Sequence, residues 1–176
     1  MTRRPEASEH APYFLRYVDL VPEVDVLAAL ETQAADTVAL LRKVKDPSFR
    51  YAPAKWTIKQ VVGHMGDAER IMAYRALAIA RGESKPLPGF DEDSYVRGAE
   101  FDSWPFDDLV DALAIVRHAN VLMFRNLAPD AWDRRGVAND NSTTVRALAY
   151  TILGHERHHL KVLREKYGVS SGGKVA

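Results

Sequence analysis

Four long segments of the sequence repeat apolar residues at the three- and four-residue spacing of an amphipathic helix, and no other feature constrains the fold as strongly. The breaks between these segments are rich in Pro, Gly, Asp and Asn. No strand pattern, internal repeat or low-complexity tract competes with the helical one. The pattern predicts an all-α protein. Four long helices with one connection long enough to cross the molecule predict a four-helix bundle.

The predicted helices have recognisable ends. The first covers residues 24–45 and stops before the pair Asp46-Pro47. The second begins in "WTIKQ", where Thr57 and Gln60 have the spacing of a capping box, and ends near Gly82. The third follows "DSWPFDD" and reaches about residue 127, and the fourth runs from the "STT" cluster at residues 142–144 to residue 168.

The connection "ESKPLPGFDEDSYVRGAEF" between the second and third helices is long for a compact domain, and such connections are usually functional or mobile. The shorter break "APDAWDRRGVANDN" resembles an irregular turn. Residues 1–170 are expected to form a single domain, because a chain of this length can bury a core of its own. The polar end "SGGKVA", residues 171–176, is expected to be disordered.

Charge and cysteine content exclude several classes of function. Lys plus Arg equals Asp plus Glu, 24 of each, so no net field favours nucleic acid or an acidic membrane. The chain has no cysteine, which leaves His, Asp and Glu to build any site. The first twenty residues contain acids where a signal peptide needs an apolar core, and no window is apolar enough for a membrane span. We expect a cytoplasmic protein.

The stretch "LGHERHHLKVL", residues 153–163, holds three of the six histidines. His155 and His159 lie one helical turn apart, on the side of the fourth helix that carries its apolar residues, so both point into the bundle. Such a pair, about 6 Å apart at Cβ, can present two ligands to one metal. His158 is expected to point elsewhere, toward the rim. The spacing alone leaves open whether the pair binds a metal or forms a polar helix edge.

A third ligand would come from His64 on the second helix, which lies beside that helix's apolar residues and between Gly63 and Gly66. Alone, such a histidine is more often a half-buried core residue. With the pair, it completes a three-histidine set with an open fourth position, as in catalytic zinc sites. The remaining histidines, His10 and His118, are expected at the surface.

Three charged residues near these histidines have two interpretations. Glu69 and Arg75 on the second helix and Glu156 on the fourth could orient the imidazoles from a second layer. They could equally form salt bridges within or between helices, which is the commoner use of such charges.

Three motifs carry a family resemblance: "KWTIKQVVGHMGDAERIMAYRALAIARGE", "LPGFDEDSYV" and "RALAYTILGHERHHLKVLREKYG". Over about residues 51–167 they resemble the DinB superfamily of DinB/YfiT-like metalloenzymes, in its DinB_2-like branch with the "GHERHH" motif. The resemblance implies a four-helix bundle with a divalent metal held by His64, His155 and His159. It also implies a homodimer. The activities known in the superfamily are thiol-dependent: transfer from bacillithiol, mycothiol or glutathione, and isomerisation of maleylpyruvate.

These implications lead to a mechanism hypothesis. A divalent metal, with zinc or nickel favoured and iron, cobalt or manganese also compatible, would lower the pKa of a thiol or a water. Because the chain has no cysteine, a thiol would come from a small-molecule cosubstrate and would react with a small electrophile. Residues 86–101 could cover the site, with an acid there taking a proton. The candidate residues in this segment are Phe90, Asp91, Asp93 and Tyr95.

Two alternatives remain open at this point. The first is hydrolysis by water activated at the metal, with Glu156 or Asp67 as the base. The second is a metal-binding helical dimer without catalysis, acting as a structural, sensing, stress-response or interaction module.

Overall fold

The computed structural model describes residues 3–170 of the chain. The helices in this range are α1 Leu15–Val18, α2 Val26–Leu41, α3 Ile58–Ala80, α4 Glu92–Ala99, α5 Phe106–Arg125 and α6 Val145–Tyr167. A hairpin of two short antiparallel strands, β1 Arg135–Ala138 and β2 Asn141–Thr144, precedes α6. None of the helices in this range has the length and hydrophobicity needed to cross a membrane.

The four long helices α2, α3, α5 and α6 form a bundle, which confirms the predicted all-α architecture. Helix α3 packs against α5 and α6, and α2 packs against the same two helices from the other side. Helices α3 and α6 are therefore neighbours rather than diagonal partners. This arrangement places the two predicted histidine-bearing helices side by side.

Most predicted helix ends are confirmed by capping contacts. Thr57 Oγ1 accepts a hydrogen bond from Gln60 N at 3.1 Å, and the Gln60 side chain accepts one from Thr57 N, so the capping box is present. Thr144 caps α6, and Gly168 ends it with a left-handed φ of 70°. Helix α2 is shorter than predicted, because Asp25 caps it and the chain turns after Leu41.

Two parts of the prediction were wrong. The long connection contains helix α4, which begins where the Asp91 carboxylate accepts a hydrogen bond from Ser94 N. The break before α6 contains the hairpin, whose turn residues Asn139 and Asp140 have φ values of 51° and 60°. Consecutive positive φ angles are those of a tight hairpin turn, which Asn and Asp tolerate. The predicted disordered tail lies outside the described residues.

The apolar core is divided into two clusters by a layer of polar side chains across the middle of the bundle. One cluster includes Val26, Ala76, Phe124 and Leu148, and the other includes Leu41, Val61, Leu113 and Leu163. Between them, at the same height on all four helices, lies what we call the polar layer: Gln33, Thr37, His64, Glu69, Arg117, His155, Glu156 and His159. This layer brings polar side chains from all four long helices into the interior of the bundle.

Candidate metal centre

The structure brings His64, His155 and His159 together on one side of the polar layer, where we call them the three-histidine group. Helix α3 supplies His64, and α6 supplies the other two from successive turns. His155 Nε2 lies 3.1 Å from His64 Nε2 and 3.1 Å from His159 Nε2. One nitrogen from each ring fits within a span of 4.8 Å. The three predicted ligands therefore converge on one point.

This geometry fits a bound cation. Three nitrogens that each lie about 2.1 Å from one metal in tetrahedral directions are separated from one another by about 3.4 Å, close to the spacing seen here. The rings cannot satisfy one another alone, because His155 Nε2 has one proton or one lone pair and faces two partners. A divalent ion at the centre would accept a lone pair from all three.

The electrostatics of the group favour neutral rings. Burial lowers the pKa of His64 to about 4. Burial also holds the pKa values of His155 and His159 well below their usual range, and the neighbouring histidines add to the effect. Neutral imidazoles have the free lone pair that a metal ligand needs.

Aromatic rings surround the group. Tyr17 on α1 packs edge-on against His155, with ring centroids 5.3 Å apart. The ring centroids of Trp56 and His64 are 4.8 Å apart. The carbonyl of Tyr17 passes so close to Gly154 that a Cβ there would lie 2.0 Å from the oxygen. We call residues 3–20 the N-terminal arm. The N-terminal arm therefore packs against α6 at Gly154, where any larger residue would clash with the Tyr17 carbonyl.

The other side of the polar layer is an ion-pair network. Arg117 on α5 is 2% exposed and donates to both oxygens of Glu69, at 2.8 and 3.0 Å, and to Glu156. Thr37 donates to Glu156, and Asn120 donates to Glu69 at 3.2 Å. Burial opposes the charge on Arg117, but Glu156 and Glu69 outweigh it and raise the pKa of the guanidinium. The salt-bridge interpretation of Glu69 and Glu156 is therefore confirmed.

A cavity of about 560 Å³ opens onto the three-histidine group. His64 and His155 form part of its wall, with Ala68, Met72 and Arg75 further along α3. The other walls come from the N-terminal arm, the start of α4 and the hairpin: Ala11, Pro12, Tyr13, Phe14, Tyr17, Phe90, Asp91, Glu92, Asp93, Asn139 and Asn141. This volume is in the range of small-molecule sites.

Only some of the residues predicted to cover the site line the cavity. Phe90, Asp91 and Asp93 line the cavity, whereas Tyr95 does not line it and packs on Phe90 with ring centroids 5.2 Å apart. Glu92, which lies between Asp91 and Asp93 in the sequence, also lines the cavity. Neither of the proposed hydrolytic bases does so: Glu156 is held by Arg117, and Asp67 lies against a different cavity.

The remaining histidines are not part of the group, although the ring of His158 packs edge-on against that of His159 at a centroid distance of 5.2 Å. His158 is half-buried beside Tyr17, at a centroid distance of 5.6 Å. His118 is exposed, as predicted. The prediction for His10 was wrong, because the N-terminal arm folds onto the bundle: the side chain is buried, and its Nδ1 lies 2.9 Å from Ala11 O.

Several residues around the site were not predicted from the sequence. Tyr17 lies in a segment without a long helical period, so no pattern pointed to it. Glu92 lies within residues 86–101, which were predicted to cover the site, but it was not among the candidates named there. Trp56 does precede the capping box by one residue, at the entrance of the histidine-bearing helix. That position is the one signal that could have drawn attention to it.

Fold and site together define a helical bundle with a three-histidine group suited to a divalent metal ion. The family model of the DinB superfamily matches residues 25–163, and the chain belongs to that superfamily. A solved structure with a similar fold is that of YfiT from Bacillus subtilis, described as a probable metal-dependent hydrolase with an unusual four-helix bundle topology. The TM-score is 0.73 at 17% identity, covering 96% of this chain and 95% of that chain. The comparison with curated proteins found no match.

Proposed function

We propose that this protein is a divalent-metal-dependent enzyme that joins a small-molecule thiol to a small electrophile in the cavity. The observation that carries the proposal is the convergence of three imidazole nitrogens, with His64 and His155 lining a cavity of about 560 Å³. His64, His155 and His159 would hold the ion. A divalent cation in such a ligand set supplies Lewis acidity, which lowers the pKa of a thiol or a water at neutral pH.

The chain's own residues would bind the reactants and accept the proton. Tyr17, Met72 and Phe90 give the cavity apolar walls, which exclude water from the reacting groups. Among the acids at the mouth, Glu92 is the best suited to take the thiol proton. Burial and the neighbouring charges of Asp93 and Asp91 raise the pKa of Glu92, and a raised pKa makes a carboxylate a better proton acceptor near neutral pH.

A hydrolytic function is the second candidate. YfiT is described as a probable metal-dependent hydrolase, and its fold is similar over nearly the whole of this chain. Because Glu156 and Asp67 do not reach the cavity, hydrolysis would also have to use an acid at the mouth, again Glu92 or Asp93. The same cavity thus supports both candidates, which differ in whether a thiol is required.

Metal content is the first test. Untagged protein should contain about one divalent ion per chain by plasma mass spectrometry, since three ligands form one site. His64→Ala, His155→Ala and His159→Ala should each lose the metal. His158→Ala is the matched control, because His158 lies on the same helix outside the group, and it should retain the metal. Absence of metal from protein reconstituted with zinc, nickel and cobalt would refute the site.

Turnover is the second test. Metal-loaded protein is mixed with glutathione, cysteine or 2-mercaptoethanol and the electrophile monochlorobimane, and separately with p-nitrophenyl acetate in the absence of thiol. The proposal expects thiol conjugation that His159→Ala abolishes and Glu92→Gln slows, with His158→Ala unaffected. Ester hydrolysis that needs no thiol would support the second candidate instead.

A further inference from the structure

The cavity contains a buried arginine that lacks a counter-ion in the described part of the chain. Three arginines in this range are buried: Arg75, Arg117 and Arg146. Arg117 pairs with Glu69 and Glu156, and Arg146 pairs with Glu9 and Asp133. Arg75, which is 4% exposed, forms no salt bridge with any residue of 3–170 and donates one hydrogen bond, to Pro88 O at 2.7 Å. A buried charge without a counter-ion is costly.

The contacts of Arg75 leave most of its donors free. A guanidinium has five N–H donors, and the bond to Pro88 uses one of them. The ring of Phe90 lies 6.0 Å from the guanidinium carbon, on the edge of cation–π distance. Arg75 forms part of the cavity wall. Burial lowers its pKa, which shows how little the surroundings compensate the charge.

The fold holds this arginine in place. Leu87 N donates to Val137 O at 2.9 Å, and Asn139 N donates to Leu87 O at 3.0 Å. These two hydrogen bonds hold the segment next to Pro88, the hydrogen-bond partner of Arg75, against the hairpin. Gly89 lies so close to the Asn139 side chain that a Cβ there would meet its Oδ1 at 2.0 Å. At this end of the cavity, Arg75 is thus hydrogen-bonded to a backbone segment that the hairpin holds in place, and Asn139 lines the same cavity.

Arg75 and His64 stand at opposite ends of one face of α3. Arg75 comes eleven positions after His64, which is about three turns, or about 16 Å along the helix axis. Ala68 and Met72 lie between them on the same cavity wall. The wall thus presents, in order, metal-ligand nitrogens, an apolar strip and a positive charge.

We propose that Arg75 binds the carboxylate of an elongated substrate whose apolar middle lies along Ala68 and Met72. A guanidinium matches a carboxylate with two parallel hydrogen bonds. The acids Asp91, Glu92 and Asp93 line the same cavity and would repel a dianion, so a monoanionic carboxylate fits better than a phosphate. That the other end of this substrate reacts at the three-histidine group rests on the function proposed above; the carboxylate site does not.

Matched alkyl probes test the site without knowledge of the substrate. Isothermal titration calorimetry would compare octanoate, octanamide and octyl phosphate on metal-free and zinc-loaded protein. Octanoate should bind about tenfold tighter than octanamide, or better, because a hydrogen-bonded ion pair replaces a neutral contact. Octyl phosphate should bind more weakly than octanoate. Equal binding of octanoate and octanamide, or no binding of octanoate, overturns the proposal, and stronger binding of octyl phosphate overturns the choice of a carboxylate.

Variants assign the preference to Arg75. Arg75→Gln should remove the preference for octanoate, and Arg75→Lys should keep part of it. Arg70→Gln is the matched control, because Arg70 lies on the same helix but against a different cavity. If Arg75→Gln keeps the preference, the role of Arg75 is only structural. The comparison within wild-type protein remains decisive even if a variant does not fold.

The two proposals can fail separately. The preference for octanoate should persist in metal-free protein and in His159→Ala, because Arg75 does not depend on the ion. A preference seen only with zinc would mean that the carboxylate binds at the metal, and this would overturn the role of Arg75. Conversely, a chain that binds octanoate through Arg75 but shows no metal uptake would refute the metal-dependent function alone.

Discussion

Removal of Arg117 should destabilise the protein strongly, because it leaves Glu69 and Glu156 buried without a counter-ion. The perturbation is Arg117→Met, which keeps the apolar stem and removes the guanidinium. All three charged side chains are at most 5% exposed, so water cannot replace the lost partner. Removing one member of a buried pair costs about 3–5 kcal/mol, and we expect about 5 kcal/mol here because one guanidinium serves two carboxylates.

For a domain of this size each 1 kcal/mol shifts the Tm by about 2–4 °C, so the Tm should fall by about 15 °C. Thermal unfolding followed by far-ultraviolet circular dichroism would measure it. Arg125→Met is the matched control: Arg125 lies on the same helix and pairs with Glu31, but the two side chains are 52% and 46% exposed. Such a surface pair contributes about 1 kcal/mol or less.

A triple variant tests the cause. Combining Arg117→Met with Glu69→Gln and Glu156→Gln removes the uncompensated charges and should restore most of the lost stability. If Arg117→Met lowers the Tm no more than Arg125→Met does, or if the triple variant is less stable than Arg117→Met, the uncompensated charges of Glu69 and Glu156 are not the cause of the destabilisation.

The other predictions concern pH and packing. The folded-state pKa values of His64, His155 and His159 lie below the unfolded value of 6.5, so below that pH the unfolded chain binds protons that the folded chain does not. The Tm of metal-free protein should therefore fall as the pH is lowered from 6.5 toward 4, and His159→Ala should flatten this dependence; an unchanged slope would contradict it. Gly154→Ala should lower the Tm by about 3–9 °C, an overpacking cost of about 1–3 kcal/mol, because its Cβ would meet the Tyr17 carbonyl. Gly98→Ala, in a helix with open space around it, should not lower the Tm, and equal losses in the two variants would refute the close approach.

The architecture and the histidine positions could be predicted because both depend on local spacing. A helix of 23 residues such as α6 repeats its apolar positions over many turns, and the orientation of His155 and His159 follows from that period alone. His64 could be placed because α3 is equally long. The short elements could not be predicted: α4 has 8 residues and each strand of the hairpin has 4, too few for a period to show.

The ion-pair network could not be predicted because its members are far apart in the sequence. Arg117 is separated from Glu69 by 48 positions and from Glu156 by 39. In "IVRHANV" it resembles one more solvated charge on a helical turn, and only the packing of α5 against α3 and α2 shows that it is buried. Arg75 is a similar case, because the lack of a counter-ion among residues 3–170 becomes visible only when its neighbours in that range are known.

The N-terminal arm has a consequence for the shape of the cavity. The family model begins at residue 25, yet Pro12, Tyr13, Phe14 and Tyr17 form one wall of the cavity. The three histidines lie within the matched residues, whereas this wall comes from residues that precede them. Substitutions in residues 12–17 would reshape the cavity while leaving the three histidines in place. This wall of the cavity and the three histidines are thus supplied by different parts of the chain.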